Sequence, residues 1–201
     1  KFFEHQALLL PIFNRIFNDE LLKLPVRYAG DFNLFDSSCV WRGNRLWHKI
    51  ENIRILAPLP QPPAITDFIA FEDHIRVMRA RRGSTVPEEW YAIPGHYRAN
   101  HLNVFGPEDS VLWPNYTEQF DYELELACVI GKKGINIREE DAHEYIAGYM
   151  IMNDWSCRDI QRQEMAVGLG PGRLSKPGAS FGPCLTTADE MPGLWRLCRE
   201  P

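Results

Sequence analysis

The sequence has no long run of like charge, no two cysteines close together and no apolar stretch long enough to span a bilayer. Each absence excludes something. Without a basic arm or stripe, nucleic acid is not an expected partner, and without a basic amphipathic segment neither is a membrane surface. The five cysteines, Cys39, Cys128, Cys157, Cys184 and Cys198, are odd in number and scattered. That pattern argues against a disulfide framework or a zinc knuckle and points to a reducing compartment such as the cytoplasm. The longest apolar run near the start, Ala7 to Phe13, is broken by Pro11 and followed by no small-residue cleavage site, so it is read as neither anchor nor signal peptide. The chain opens on Lys1 instead of Met, which predicts a missing natural N-terminus.

What is present is ordinary for a globular chain. Of 201 residues, 45% are hydrophobic and 24% charged, with a net charge of -5, enough for one sizeable core or a small segment beside a larger domain. Phe3 to Leu24 carries a loose helical pattern, with Leu9, Ile12, Phe13, Ile16 and Phe17 near one face. Ala57 to Pro63 holds four prolines in seven residues and predicts an extended connector and a boundary. After it, Asp67 to Arg82 reads as a helix capped by Thr66 or Asp67, and Trp90 to Pro114 as irregular chain. Phe120 to Ile130 alternates as a strand: Phe120, Tyr122, Leu124, Leu126, Cys128 and Ile130 point one way, toward an expected core, and Asp121, Glu123, Glu125, Ala127 and Val129 the other. Glu139-Glu140-Asp141 opens an expected helix to about Gly148. A short strand, Tyr149 to Met152, follows, and Ser156 with Asp159 has the spacing of a capping box that would start a helix at Ser156.

Glu123 and Glu125 are the sharpest chemical signal. Two residues apart on a strand, their carboxylates share a face at roughly 7 Å, with no cation between them in sequence. A hard divalent ion would relieve their repulsion; an ordinary solvated strand face accounts for the same pattern. Asp154 stands at a strand end, where a side chain can face a cleft or simply close a turn. Arg158 and Gln161 lie one helical turn apart, fit for holding a carboxylate and an oxyanion, though either also suits a plain surface. His74 falls on the expected helix two turns after Asp67, a place where a histidine is as readily structural.

Phe120-Asp-Tyr-Glu-Leu-Glu-Leu-Ala-Cys-Val-Ile-Gly-Lys132 resembles the metal-binding strand of the fumarylacetoacetate hydrolase family. Tyr145-Ile-Ala-Gly-Tyr149 and Asn153-Asp-Trp-Ser-Cys-Arg-Asp-Ile-Gln161 resemble its next motifs, in the family's order and spacing, and the likeness runs from about Leu56 to Thr187. The resemblance implies an α+β fold, a mixed β-roll or β-sandwich with flanking helices, dimeric when full length. It implies that Glu123, Glu125 and Asp154, joined by Asp67, bind Mg2+ (or Mn2+ or Ca2+), and that Arg158, Gln161 and a lysine, Lys176, hold substrate oxygens. His74 matches a histidine that would activate water as general base. The glutamate that the acylpyruvate-hydrolase branch places three residues after its histidine is Val77 here, and Gly172 to Gly178 departs from the Lys-x-Lys-Asp-Phe of many relatives.

The activity so implied is metal-dependent hydrolytic or lyase cleavage of a C–C bond in a small 2-oxo or 1,3-dicarbonyl acid, such as fumarylacetoacetate or an acylpyruvate. Decarboxylation, isomerisation or hydration of a 2-oxo acid, or a non-catalytic relative, are the alternatives. The expected organisation is a segment of unclear fold over 1–56 and a partial catalytic domain over 57–201. In the family that domain continues past the segment matched here by Gly182 to Thr187. The resemblance therefore predicts a chain incomplete at its C-terminus, with an open sheet edge beyond Leu185 and poor stability.

Overall fold

The computed structural model describes residues 40–41, 44–45 and 50–191. The expected helix over Phe3 to Leu24 lies outside them, as do Cys39 and Cys198. The chain divides into two compact units, Lys1–Arg54 with Ile130–Ala147, and Ile55–Val129 with Gly148–Pro201. In the first, strands β1 (Val40–Trp41) and β2 (Asn44–Arg45) pair antiparallel. An acidic 3-10 helix, Glu139–Tyr145, leads into the long strand described below; it is shorter than the helix to Gly148 that the sequence predicts.

The second unit begins with the proline-rich stretch, which adopts no helix or strand. Strand β3 (Thr66–Phe68) then pairs antiparallel with β4 (His96–Arg98), with Asp67 opposite Tyr97. Between them run helices α1 (Glu72–Ala80) and α2 (Glu89–Ala92). The expected helix from Asp67 is thus corrected. Thr66 and Phe68 are good strand residues, and β4 supplies the partner that a local reading cannot see. The helix begins only at Glu72, with no side-chain cap, so Asp67 and His74 do not share a helix face.

Strands β5 (Val104–Phe105), β6 (Phe120–Asp121), β7 (Leu124–Ile130), β8 (Ile146–Cys157), β9 (Gly178–Phe181) and β10 (Thr186–Thr187) form a mixed sheet. Its order is β10-β8-β9-β5, with β6 and β7 also pairing β8; β5 and β9 are parallel, and β10 and β9 antiparallel to β8. Helix α3 (Arg158–Val167) follows β8 directly. The two stretches expected as strand and turn before Ser156 are one twelve-residue strand. The expected capping box is absent: Cys157, not Ser156, precedes α3, and the Ser156 hydroxyl donates to the Asp154 carbonyl instead.

Strand β8 alternates from Met150 onward. Met150, Met152, Asp154 and Ser156 are buried, while Ile151 is exposed. Phe181 and Ala179 of β9 stand opposite Met152 and Asp154 and are also buried. One face of β8 therefore passes from apolar core to buried polar residues without changing direction.

Strand β7 is oriented opposite to expectation. Leu124, Leu126, Cys128 and Tyr122 just before it are exposed, whereas Val129 is buried and Glu125 and Ala127 are partly so. A period of two fixes which residues share a face but not which face turns inward, and here the inward row carries the acids. Among the described residues Cys128, Cys157 and Cys184 are in no disulfide. No helix among the described residues is long and apolar enough to cross a membrane.

Candidate metal centre

Four carboxylates converge. Asp67 comes from β3, Glu123 from the break between β6 and β7, Glu125 from β7 and Asp154 from β8, and each offers an oxygen within 4.8 Å of the others. The break has a local cause. The Asn153 side-chain oxygen accepts the Glu123 N–H at 3.0 Å, and the Glu123 carbonyl accepts the Asp154 N–H at 3.0 Å. A side chain thus replaces a ladder bond and sets the angle at which Glu123 enters the cluster.

Lys176 reaches the same point from the loop before β9. It is 3% exposed. Its ammonium lies against Glu123, 2.8 Å from Asp154 Oδ2, and donates to Ser156 Oγ at 2.8 Å. The Ser156 hydroxyl donates in turn to the Asp154 carbonyl at 3.0 Å. The serine that the sequence suggests as a helix cap is therefore a rest for the lysine. Trp155 stacks on Phe120 at 5.1 Å and donates to Ser180 Oγ, so every residue of Asn153-Asp154-Trp155-Ser156 supports the site.

Nothing in the sequence singles out Tyr97. Its hydroxyl donates to Asp154 Oδ2, it stands opposite Asp67 in the β3–β4 pair, and Lys176 Nζ lies 5.6 Å from its ring centre. The signal that could have found it is the pairing of β3 with β4, which sets Tyr97 beside Asp67.

Arg158 stands at the edge of the cluster, donating to Asp121 Oδ2 at 2.9 Å and to Glu123, with Gln161 Oε1 at 3.3 Å. The structure brings together Asp67, Glu123, Glu125, Asp154 and Lys176, and sets Arg158 and Gln161 beside them. It does not bring His74, which is exposed on α1 and outside the carboxylate group.

Charge is unevenly balanced here. Burial works to raise the Glu123 carboxyl, yet Lys176 and Arg158 together hold it below the usual range. Burial tends to lower Lys176, but Asp154 and Glu123 keep it raised and hence protonated. Glu125 is pushed up to about 8, first by burial and then by Asp67, Asp154 and Glu123. Asp67 is raised as well, mainly by burial and partly by Asp154. Burial and the Asp154 charge also raise the Tyr97 phenol, so it stays a proton donor. Neither Asp67 nor Glu125 has an ion-pair partner among the described residues. Oxygen-only donors with a surplus of buried negative charge fit a hard divalent cation, which takes several carboxylate and water oxygens and removes that repulsion.

Comparison with known proteins places the chain in a family. Residues 64–199 match the family described as fumarylacetoacetate (FAA) hydrolase C-terminal. The chain is 34% identical over 139 residues to the mitochondrial oxaloacetate tautomerase fahd2 of Xenopus laevis, covering 69% of this chain and 41% of that protein. It is 32% identical over 126 residues to the oxaloacetate tautomerase YisK of Bacillus subtilis, covering 61% and 40%. It therefore spans about two-fifths of the length of these curated relatives. Among solved structures, the fumarylacetoacetate hydrolase of the psychrophile Exiguobacterium antarcticum matches with a TM-score of 0.50 and 27% identity, over 70% of this chain and 48% of that one. With the family matched over 64–199 and a sheet that carries the site in the same part of the chain, the protein belongs to the fumarylacetoacetate hydrolase family.

Proposed function

We propose that this chain carries the divalent-metal site of an enzyme that interconverts the enol and keto forms of a small 2-oxo acid of the oxaloacetate type. The observation that carries the reading is the convergence of four carboxylates, two of them paired with one buried, protonated lysine, with no histidine among them. Asp67, Glu123, Glu125 and Asp154 would hold Mg2+ or Mn2+. A bound ion of this kind polarises a carbonyl oxygen as a Lewis acid. The Lys176 ammonium, fixed between Glu123 and Asp154, is a ready partner for the negative oxygen of an enolate. Arg158, only partly buried and carrying guanidinium donors beside Gln161, suits the carboxylate end of the substrate. The names of the tautomerase relatives favour this reading over the C–C bond cleavage that the sequence motifs first suggest.

Hydrolysis asks for a base that activates water, and the histidine expected in that role is exposed on α1 and is not one of the residues that could hold the ion. The test is a substrate comparison with added Mg2+ or Mn2+. Enol oxaloacetate should relax to the keto form faster than in buffer, without release of pyruvate, and acylpyruvates should remain intact. Acylpyruvate cleavage would replace the proposal with the hydrolase reading. Inertness toward both would leave a metal-binding relative without turnover.

A further inference from the structure

Glu164 sits in the last turn of α3, where a carboxylate opposes the helix dipole, and it is not one of the cluster acids. It serves the loop that follows. Its Oε2 accepts the Gly172 N–H at 2.6 Å and the Ser175 hydroxyl, and the backbone N–H groups of Ser175 and Leu174 also point to it. A methyl group at Gly172 would lie 2.8 Å from Glu164 Oε1, so a larger residue there would have to push that carboxylate aside. The turn so formed is sealed by Lys176 N–H on the Gly172 carbonyl at 3.0 Å.

Other bonds fix further carbonyls of the loop. Tyr116 donates to Leu174 O at 3.0 Å and Cys157 N–H to Ser175 O at 2.7 Å, while the Asn100 and Asn103 side chains both donate to Pro177 O at 2.9 Å. Among these anchors Glu164 is the charged one, and it is shared by the residues just before Lys176.

We propose that Glu164 is a positioning residue for Lys176: by folding the Gly172–Lys176 turn around its carboxylate it fixes where the ammonium meets Glu123 and Asp154. The proposal rests on the role given to Lys176 under the proposed function, and its first test reads the lysine without metal or substrate. In the metal-free protein, limiting acetic anhydride should acetylate Lys176 at least tenfold more slowly than the exposed Lys133, as followed by mass spectrometry. Glu164→Ala should bring the two rates within about threefold while urea unfolding stays cooperative. Glu164→Gln, which keeps an acceptor oxygen, should fall between.

The second test is a Mn2+ titration of a double-mutant cycle. Glu164→Ala should tighten Mn2+ binding several-fold, because a withdrawn ammonium no longer competes for the same oxygens. In a Lys176→Met background the same change should have no effect; a purely structural glutamate would act equally in both. Unaltered protection of Lys176 in folded Glu164→Ala overturns the proposal, as does an equal Mn2+ shift in both backgrounds. If Glu164→Ala does not fold, Glu164→Gln and Gly172→Ala carry the same two tests, and the same outcomes support or overturn the proposal. A wild-type chain that binds no Mn2+ would sink the metal reading alone, and the labelling result would still decide the role of Glu164.

Discussion

Glu123 and Glu125 stand two residues apart and turn to the same side, yet their surroundings differ sharply. Glu123 and Asp154 share the Lys176 ammonium, and Arg158 closes on Glu123 from outside. Glu125 and Asp67 face each other's charge and those of Glu123 and Asp154, with Tyr97 as the cross-strand neighbour of Asp67. One half of the cluster carries its own cation. The other is held close at an electrostatic cost that Lys176 offsets in part and that an added cation or a bound proton would remove. The first half is therefore preorganised before any ligand arrives, and the second is where the proposed ion would complete the structure.

The largest effect should come from breaking the balanced half. Lys176→Met removes the cation between two carboxylates, one of them almost fully buried. Loss of one partner from a buried ion pair costs about 3–5 kcal/mol. Urea denaturation of the metal-free protein should show a loss of that order, partly recovered by Mn2+. An unchanged midpoint would mean that the two halves are not different in kind.

The unbalanced half is probed by pH. The folded Glu125 carboxyl is raised to about 8 from an ordinary 4.5. The folded chain thus holds this proton more tightly than the unfolded chain. Its contribution favours folding most below about pH 4.5 and is lost as pH climbs toward 8. Glu123, lowered in the folded state, contributes in the opposite sense: its stabilisation is present above about pH 4.5 and lost in acid. Metal binding must expel the Glu125 proton. Calorimetry in buffers of differing ionisation enthalpy should therefore find about one proton released per Mg2+ near pH 6.5, falling toward zero above about pH 9. Affinity should rise about tenfold per pH unit below about 8. Glu125→Gln should abolish the proton release and weaken binding by more than the roughly 10–100-fold typical of outer-shell partners. Proton release retained in Glu125→Gln would assign the raised carboxyl to Asp67 instead.

The smallest effect is expected at His74. Its side chain is exposed on α1 and outside the cluster, so His74→Ala should move stability by less than about 0.5 kcal/mol and leave Mn2+ affinity and tautomerase turnover within twofold. A hundredfold loss of turnover would restore the general-base role and with it a hydrolytic reaction.

Much of this site can be read from spacing, and its misreadings share a cause. The shared face of Glu123 and Glu125 follows from strand geometry, because a period of two is a property of the backbone alone. Which face lies inside is a property of the whole sheet. The apolar row Tyr122, Leu124, Leu126 biases the reading the wrong way wherever a buried polar cluster occupies the interior. Asp67 reads as part of a helix because its strand partner is some thirty residues away, at Tyr97. Tyr97 is hidden in the sequence for the same reason. Ser156 looks like a cap when seen beside Asp159, and like a lysine support only once Lys176 is in place. Lys176 itself is reached through the family resemblance, since nothing in Gly172 to Gly178 announces that the loop turns back to β8.

The inward row of β8 has a consequence for how the chain tells a correct fold from a near miss. Met150 and Met152 lie on the same side of the strand as Asp154 and Ser156. A slip of one residue would turn Ile151 and Asn153 inward and throw Asp154 out to solvent. The apolar packing would be partly forgiving, since Ile151 could replace a methionine. The carboxylate cluster would not, for it would lose a member and the anchor of Tyr97 and Lys176. On the proposed metal reading, metal affinity would act as a proofreading signal for strand register: a slipped chain could still collapse, but only the in-register strand would complete the ion's coordination and gain its binding energy.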